Sequence, residues 1–196
     1  MKKDMYFWLT MLFRGFIALF AGSFVMVIPD MARTLLLLPL ALVFSVLVLA
    51  AYGIIDSGLV LASSFMTESS TVRIALLSQG FVGMIIGTLF LGVVFDHVRL
   101  EWFLTLAGIL ALSSAVGESL VARYSSVHAV SIWNHAASGV AFCASIVYFV
   151  LRVSFASSLT SREVSWLVYV YLVVFGVAQC ITAARMLYED RRFVIE

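Results

Sequence analysis

The chain has 196 residues, of which 63% are hydrophobic and 12% charged, with a formal net charge of +1 and a mean hydropathy of +1.11. A soluble domain carries roughly 45–50% apolar and about 25% charged residues, so the composition excludes a soluble globular protein. The small net charge argues against a nucleic-acid partner, which would require a concentrated basic face. The two cysteines provide neither a disulfide framework nor a metal-ligand spacing. The expected partner is the lipid bilayer, and no metal or cofactor is expected.

Six apolar stretches are long enough to cross a membrane, since a spanning helix needs about 20 apolar residues. They are Tyr6–Ile28, Leu35–Ala62, Ile74–Phe95, Trp102–Ala122, Ser131–Leu151 and Ser165–Leu187. Short polar connectors at 29–33, 67–70, 96–99, 123–126 and 157–163 hold most of the charges. Because little chain remains, residues 1–196 are predicted to form a single transmembrane domain. The predicted fold class is all-α, a polytopic membrane bundle of six transmembrane helices.

The spacing of glycines indicates an internal repeat. Gly58, Gly117 and Gly176 stand 59 residues apart in spans two, four and six, and Gly80 and Gly139 have the same separation in spans three and five. The simplest interpretation is three tandem two-helix hairpin repeats, approximately 6–65, 73–124 and 130–188. Since each hairpin returns to its starting side, all three share one topology and can be related by a threefold axis along the membrane normal.

Glycine inside a membrane helix usually serves packing, because small residues let two backbones approach closely. Ala18-x-x-x-Gly22 and Gly83-x-x-x-Gly87 have the spacing of such contacts. The glycines expected at helix contacts are Gly15, Gly22, Gly58, Gly80, Gly83, Gly87, Gly117, Gly139 and Gly176.

Each of the first two predicted spans contains one charged residue. Arg14 lies six residues after Trp8, about 9 Å into span one at 1.5 Å per residue, and Asp56 lies at a similar depth in span two. A charge at the membrane centre costs about 2.5–3.5 kcal/mol on insertion scales, and the two helices are antiparallel neighbours, so an Arg14–Asp56 ion pair is predicted. Removing both partners is expected to cost less than removing one. Whether the pair is structural or functional stays open.

Further polar residues fall at a comparable depth and predict a polar belt in the cytoplasmic half of the bundle: Gln79, Glu118, Asn134, His135 and Gln179. One interpretation is a proton- or ligand-responsive site, because His135 titrates near neutral pH. The other is hydrogen bonding between helices, worth about 0.6 kcal/mol per contact. Glu118 lies near the end of its span, and we expect it to extend to the interface or to pair with Arg123.

Catalytic motifs are missing from the sequence. It contains no H-E-x-x-H, P-loop or G-x-S-x-G pattern, and no catalytic residue is assigned. Cys143 and Cys180 lie mid-span, where a free cysteine usually acts as a small apolar residue. The chain is therefore expected not to be an enzyme, and a membrane-embedded enzyme is the least favoured alternative.

Positive charges predict the orientation, because cytoplasmic connectors carry the excess of Lys and Arg. The side with both termini carries Lys2, Lys3, Arg73, Arg123, Arg185, Arg191 and Arg192. The opposite side carries Arg33, Arg99, Arg152 and Arg162. Both termini are therefore expected in the cytoplasm.

The first hairpin resembles a known family. Its motifs are Arg14-Gly15-x-x-Ala18-Leu19-x-x-Gly22, then Pro29, then Ala51-Tyr52-x-x-x-Asp56 in span two. This combination is similar to the HdeD-like bacterial inner-membrane proteins, which have an Arg-Gly-x-x-Ala-Leu-x-x-x-Gly helix, a proline turn and an Ala-Tyr-x-x-x-Asp helix. Their layout of about 190 residues and six spans in three repeated hairpins is also similar.

The resemblance implies a multi-pass protein of the bacterial inner membrane that is not an enzyme and contributes to acid or envelope stress resistance. Arg14 and Asp56 are then family-signature positions. The alternative function is a small transporter or channel that uses the polar belt. A homo-oligomer or another membrane protein as partner stays open.

Overall fold

The fold is a bundle of six long α-helices. A computed structural model describes residues 2–34, 38–67, 69–95, 97, 102–124, 128–154 and 161–195, and within these ranges there is no β-strand. The helices are α1 (Lys2–Thr34), α2 (Leu38–Ser64), α3 (Ser70–Val94), α4 (Phe103–Tyr124), α5 (His128–Ser154) and α6 (Ser161–Ile195). Each contains a segment long and apolar enough to cross a membrane. This confirms the predicted all-α, six-helix, multi-pass membrane protein.

The helices extend beyond several predicted span boundaries. The connector predicted at 29–33 is helical, and α1 continues to Thr34; a proline removes one backbone hydrogen bond without necessarily ending a helix. Helix α3 begins at Ser70, four residues before the predicted start. Its N-cap is Ser69, whose hydroxyl accepts from the Val72 amide at 3.5 Å. Residues 35–37, 68, 96, 98–99, 125–126 and 157–160 of the predicted spans and connectors lie outside the described residues.

The six helices pack as a closed ring in chain order. The most extensive contacts join α2 to α3, α4 to α5, and α6 back to α1. The contacts of α1 with α2, α3 with α4, and α5 with α6 are smaller. Tight and loose contacts thus alternate around the ring, as expected for three similar two-helix units around a common axis. The two helices of each predicted hairpin therefore contact each other less extensively than they contact the neighbouring hairpins.

Glycines lie at the tight contacts, because helices in lipid associate through close packing rather than by excluding water. A Cβ added to Gly176 on α6 would lie 2.8 Å from the Gly15 carbonyl oxygen on α1. Between α2 and α3, a Cβ added to Gly87 would lie 3.0 Å from the Ile54 amide nitrogen. Between α4 and α5, a Cβ on Gly108 would meet the Phe149 ring at 3.1 Å. A larger residue at Gly176 would push α6 away from the α1 backbone, and one at Gly87 or Gly108 would crowd the neighbouring helix.

Most other glycines in the predicted packing set also face a neighbouring helix. A Cβ on Gly22 would lie 3.2 Å from Leu172 Cβ, and one on Gly80 would lie 3.1 Å from the Ser57 carbonyl oxygen. Gly83 faces the Ser57 hydroxyl, and Gly117 faces the Gln79 amide.

Gly58 and Gly139 are exceptions to the packing prediction. A Cβ at either position would have no neighbour within 4 Å, so neither glycine lies where two backbones approach. The 59-residue spacing therefore joins positions with different surroundings.

Candidate functional site

A layer of polar side chains crosses the otherwise apolar interior. It comprises one residue from each helix, all 6% exposed or less: Arg14, Asp56, Gln79, Glu118, Asn134 and Gln179. We call these six residues the polar layer. All six were predicted to lie at one depth, Arg14 and Asp56 as an ion pair and the other four as members of the polar belt. Glu118 was also expected to extend to the interface or to pair with Arg123.

The polar layer separates two apolar clusters. On α1, Arg14 lies between Met11 of the smaller cluster and Ala18 of the larger one. The smaller cluster lies towards the chain termini and consists of Met11, Val60, Val72, Leu76, Val121 and Ala183. The larger cluster fills the opposite part of the bundle and includes residues from all six helices. The polar layer is therefore enclosed by apolar packing on both sides.

Contacts between α1 and α6 place two of the polar residues at one level. A Cβ on Gly15 would lie 2.5 Å from Cys180 Sγ and 3.0 Å from the Cys180 amide nitrogen. Arg14 and Gln179 immediately precede these two residues. Since one residue rises only about 1.5 Å along a helix, the two side chains start at nearly the same depth.

Contacts of α4 bring in the polar residues of α3 and α5. The Gln79 side-chain amide lies against Gly117, the residue before Glu118. On the other side of α4, the Ser138 hydroxyl donates to the Ala115 carbonyl oxygen at 2.7 Å. Asn134 lies one helical turn from Ser138, in the direction that brings it level with Glu118 on the antiparallel neighbour.

Arg14 forms the centre of an ion-pair cluster with Asp56 and Glu118. Its Nε donates to Asp56 Oδ1 at 2.8 Å, and its Nη2 donates to Asp56 Oδ2 at 3.4 Å. Its Nη1 donates to Glu118 Oε1 at 2.7 Å. The guanidinium carbon also lies 5.9 Å from the centre of the Phe175 ring, within the range of a cation–π contact. The predicted Arg14–Asp56 pair is present, and the guanidinium bridges a second carboxylate.

The second carboxylate corrects the prediction for Glu118. This residue is 1% exposed and pairs with Arg14, whereas Arg123 is exposed. The physical reason is the rotation of α4: Ala111, Ser114, Ala115 and Glu118 share its buried face. A carboxylate on that face points into the interior of the bundle and cannot extend to the membrane interface. The distance of Glu118 from the end of its span does not show which face of α4 it occupies.

His135 is also placed differently from the prediction. It is exposed on the surface of α5, while Asn134 beside it is fully buried. Consecutive helical residues differ by about 100° around the axis because a turn has 3.6 residues. Only one of the two can face the polar layer, and that residue is Asn134. His135 is therefore not part of the predicted belt.

The ion-pair cluster contains more negative than positive groups. One guanidinium faces two carboxylates, and three of the four carboxylate oxygens accept its hydrogen bonds. The fourth, Glu118 Oε2, is buried and has no hydrogen-bond partner among the described residues. With both carboxylates ionised, the cluster has a net charge of −1 in the buried interior of the bundle.

The three amides of the polar layer have no protein partners in the described part of the chain. The side-chain oxygen and nitrogen atoms of Gln79, Asn134 and Gln179 are all buried without a hydrogen bond. An unsatisfied buried polar atom costs about 1–3 kcal/mol, so three such amides together would be a large loss of stability. Their donors and acceptors are available to a small polar species inside the bundle.

Two tyrosines border the polar layer on the side of the larger apolar cluster. Tyr52 is 5% exposed and Tyr171 is 8% exposed, and both interact electrostatically with the ion-pair cluster. Tyr171 also shares a hydrogen bond with Ser114. On the side of the termini, the Ser63 hydroxyl donates to Thr10 Oγ1 at 3.0 Å and links α1 to α2.

Comparison with known proteins does not extend these observations. No protein-family model, curated protein or solved structure matches this chain. A fold alone does not define a function, so the function has to be argued from the charges and hydrogen bonds of the polar layer. In the part of the chain that the structure describes, no group of three or more His, Cys, Asp or Glu side chains is placed to hold a metal ion.

Proposed function

We propose that this is a non-enzymatic inner-membrane protein of the HdeD type, which contributes to acid or envelope stress resistance through a stable helical bundle. The observation that supports this most is the bridging of two carboxylates by Arg14. Asp56 belongs to the same predicted hairpin as Arg14, and Glu118 belongs to the next one. In lipid such a buried ion-pair cluster fixes the relative positions of α1, α2 and α4, because separating the helices would leave charges in an apolar medium.

The count of charges supports a role at low pH. A single arginine–carboxylate pair is lost when its carboxylate takes up a proton. In the ion-pair cluster, one proton neutralises one carboxylate and leaves Arg14 paired with the other. Uptake of the first proton therefore leaves the helices joined by an ion pair, which is not the case when an arginine has a single carboxylate partner. The proposed orientation, with both termini in the cytoplasm, puts the polar layer in the cytoplasmic half of the membrane.

A small transporter or channel is the second candidate. The unpartnered amides of Gln79, Asn134 and Gln179 favour it, since polar groups inside a membrane bundle often mark a pathway for ions or solutes. The apolar clusters on both sides of the polar layer favour the structural role.

Proteoliposomes distinguish the two candidates. Purified wild-type protein and its Asp56→Asn variant are reconstituted, and the internal pH is followed after an external acid jump. We expect both preparations to stay as tight as empty vesicles. Proton flux in the wild type that disappears in Asp56→Asn would contradict the structural role and support the transporter.

Acid survival tests the stress function separately. A deletion strain is complemented with the wild type or with Arg14→Gln, and survivors are counted after acid exposure. We expect rescue by the wild type and poor rescue by Arg14→Gln. Equal survival of the deletion strain and the wild-type strain would contradict the stress function.

A further inference from the structure

The structural role uses only part of the polar layer. Arg14 occupies both oxygens of Asp56 and one oxygen of Glu118. Glu118 Oε2 and the side-chain oxygens of Gln79, Asn134 and Gln179 are buried without partners among the described residues. These four oxygen atoms come from four different helices and are at least nine-tenths buried.

The charge of the layer indicates what these oxygens can bind. An isolated charge in a low-dielectric interior is strongly unfavourable unless another charge compensates it. The ion-pair cluster has one positive charge fewer than negative charges. The carboxylate oxygen that accepts no hydrogen bond from the described residues is Glu118 Oε2. A divalent ion would overcompensate the layer and would lie close to the Arg14 guanidinium, so a single positive charge fits best.

We propose that the polar layer binds one unit of positive charge at Glu118 Oε2, either as a proton or as a small alkali-metal ion. A proton on this oxygen donates a hydrogen bond to an amide oxygen of the layer. An alkali-metal ion is held by Glu118 Oε2 together with the amide oxygens of Gln79, Asn134 and Gln179, since hard cations prefer oxygen ligands. This goes beyond the proposed function, because the ion-pair cluster can hold the helices together without a ligand.

The other groups that face the site do not supply the missing charge. Helix α1 contributes Arg14, which is already counted, and α2 contributes Asp56 and Tyr52. Helices α3 and α5 contribute neutral amides. Helix α6 contributes Tyr171, Gln179 and, against Gly15, the thiol of Cys180.

Thermal unfolding of the full chain in detergent tests the proposal. The unfolding midpoint is measured over a pH series at constant ionic strength, with N-methyl-D-glucamine as the reference cation and sodium or potassium in its place. Two variants are compared with the wild type. Glu118→Gln removes the excess charge and keeps the shape, and Glu163→Gln is the matched control because Glu163 is an exposed carboxylate near the start of α6.

The expected result is a linkage between stability and bound charge. If the folded protein holds one proton that the unfolded chain releases, the unfolding constant of the wild type rises by up to tenfold per pH unit as the pH rises. Sodium or potassium would then have no effect. If an alkali-metal ion is the ligand, sodium or potassium raises the midpoint at high pH. Glu118→Gln is expected to lose both responses, and Glu163→Gln is expected to keep them.

Two results would overturn the proposal: a wild-type midpoint that responds to neither pH nor the cation, or a response that Glu118→Gln keeps in full. If Glu118→Gln does not fold, Asp56→Asn replaces it, because that variant also leaves one carboxylate for one guanidinium. A retained response in Asp56→Asn would equally contradict the charge argument. These measurements are independent of vesicle leakage and acid survival, so failure of the proposed function and failure of this site can be told apart.

Discussion

Replacement of Arg14 by glutamine is the most direct test of the ion-pair cluster. The side chain is 1% exposed and donates three hydrogen bonds to two buried carboxylates. If these were ordinary hydrogen bonds between membrane helices, at about 0.6 kcal/mol each, their loss would cost about 2 kcal/mol. Removing one partner of a buried ion pair costs about 3–5 kcal/mol because a charge is left unpaired. Arg14→Gln strands two such charges, so we expect a loss at the upper end of that range.

Replacing a carboxylate has a different expected result. Asp56→Asn leaves Arg14 and Glu118 as a balanced pair and replaces one of the two oxygens that accept from Arg14 by an NH2 group, so it should destabilise much less than Arg14→Gln. The double variant of Arg14 and Asp56 should recover only part of the stability lost in Arg14→Gln, because it leaves one unpaired carboxylate, Glu118, where Arg14→Gln leaves two. This differs from the expectation for an isolated pair. The triple variant that also carries Glu118→Gln contains no buried charge and should be more stable than Arg14→Gln alone.

The assay is the free energy of unfolding in mixed micelles, followed by tryptophan fluorescence at two pH values. The loss in Arg14→Gln should be smaller at acid pH, because protons then neutralise the stranded carboxylates. Arg73→Gln is the control for an arginine-to-glutamine change, since Arg73 is exposed and its guanidinium donates to the Thr67 carbonyl oxygen at 3.0 Å. The reasoning is refuted if Arg14→Gln is no worse than Asp56→Asn, or if the triple variant is no better than Arg14→Gln.

Two further predictions concern packing and exposure. Gly176→Ala should destabilise the bundle by about 1–3 kcal/mol, the usual effect of overpacking, whereas Gly139→Ala should be neutral or stabilising because its Cβ meets no neighbour and alanine is the better helix former; equal thermal midpoints would contradict this. Cys143 is exposed on α5, whereas Cys180 is partly buried and lies against Gly15, so Cys143→Leu should be close to neutral and Cys180→Leu should lower the thermal midpoint. Equal midpoints of these two variants would show that the α1–α6 contact is looser than described.

Hydropathy was sufficient to predict the six helices, because each must satisfy its backbone hydrogen bonds internally in lipid. The depth of Arg14 and Asp56 in neighbouring antiparallel spans was sufficient to predict their ion pair. Depth alone could not predict which way a polar side chain points around its helix. Asn134 and His135 have the same depth, and only the rotation of α5 separates them.

The sequence does contain a signal for the rotation of α5, in the positions of its small residues. Small residues follow Asn134 on one face of α5, at Ala137 and Ala141, and both are fully buried. Glu118 likewise shares a face with Ala111 and Ala115. Since small residues mark helix contacts in membranes, a polar residue in line with them is expected inside the bundle. The separation of 104 residues between Arg14 and Glu118 explains why local spacing could not pair them.

The extensive contact between α1 and α6 has a consequence for the order of membrane insertion. Helix α1 makes its most extensive contact with α6, which is synthesised and inserted after it. Until then, Arg14 depends on Asp56 for charge compensation after α2 has inserted, and on Glu118 after α4 has inserted. These ion pairs can thus keep α1 in the membrane before its glycine-lined face makes its contact with Gly176 of α6. The ring would then close only after α6 has entered the bilayer.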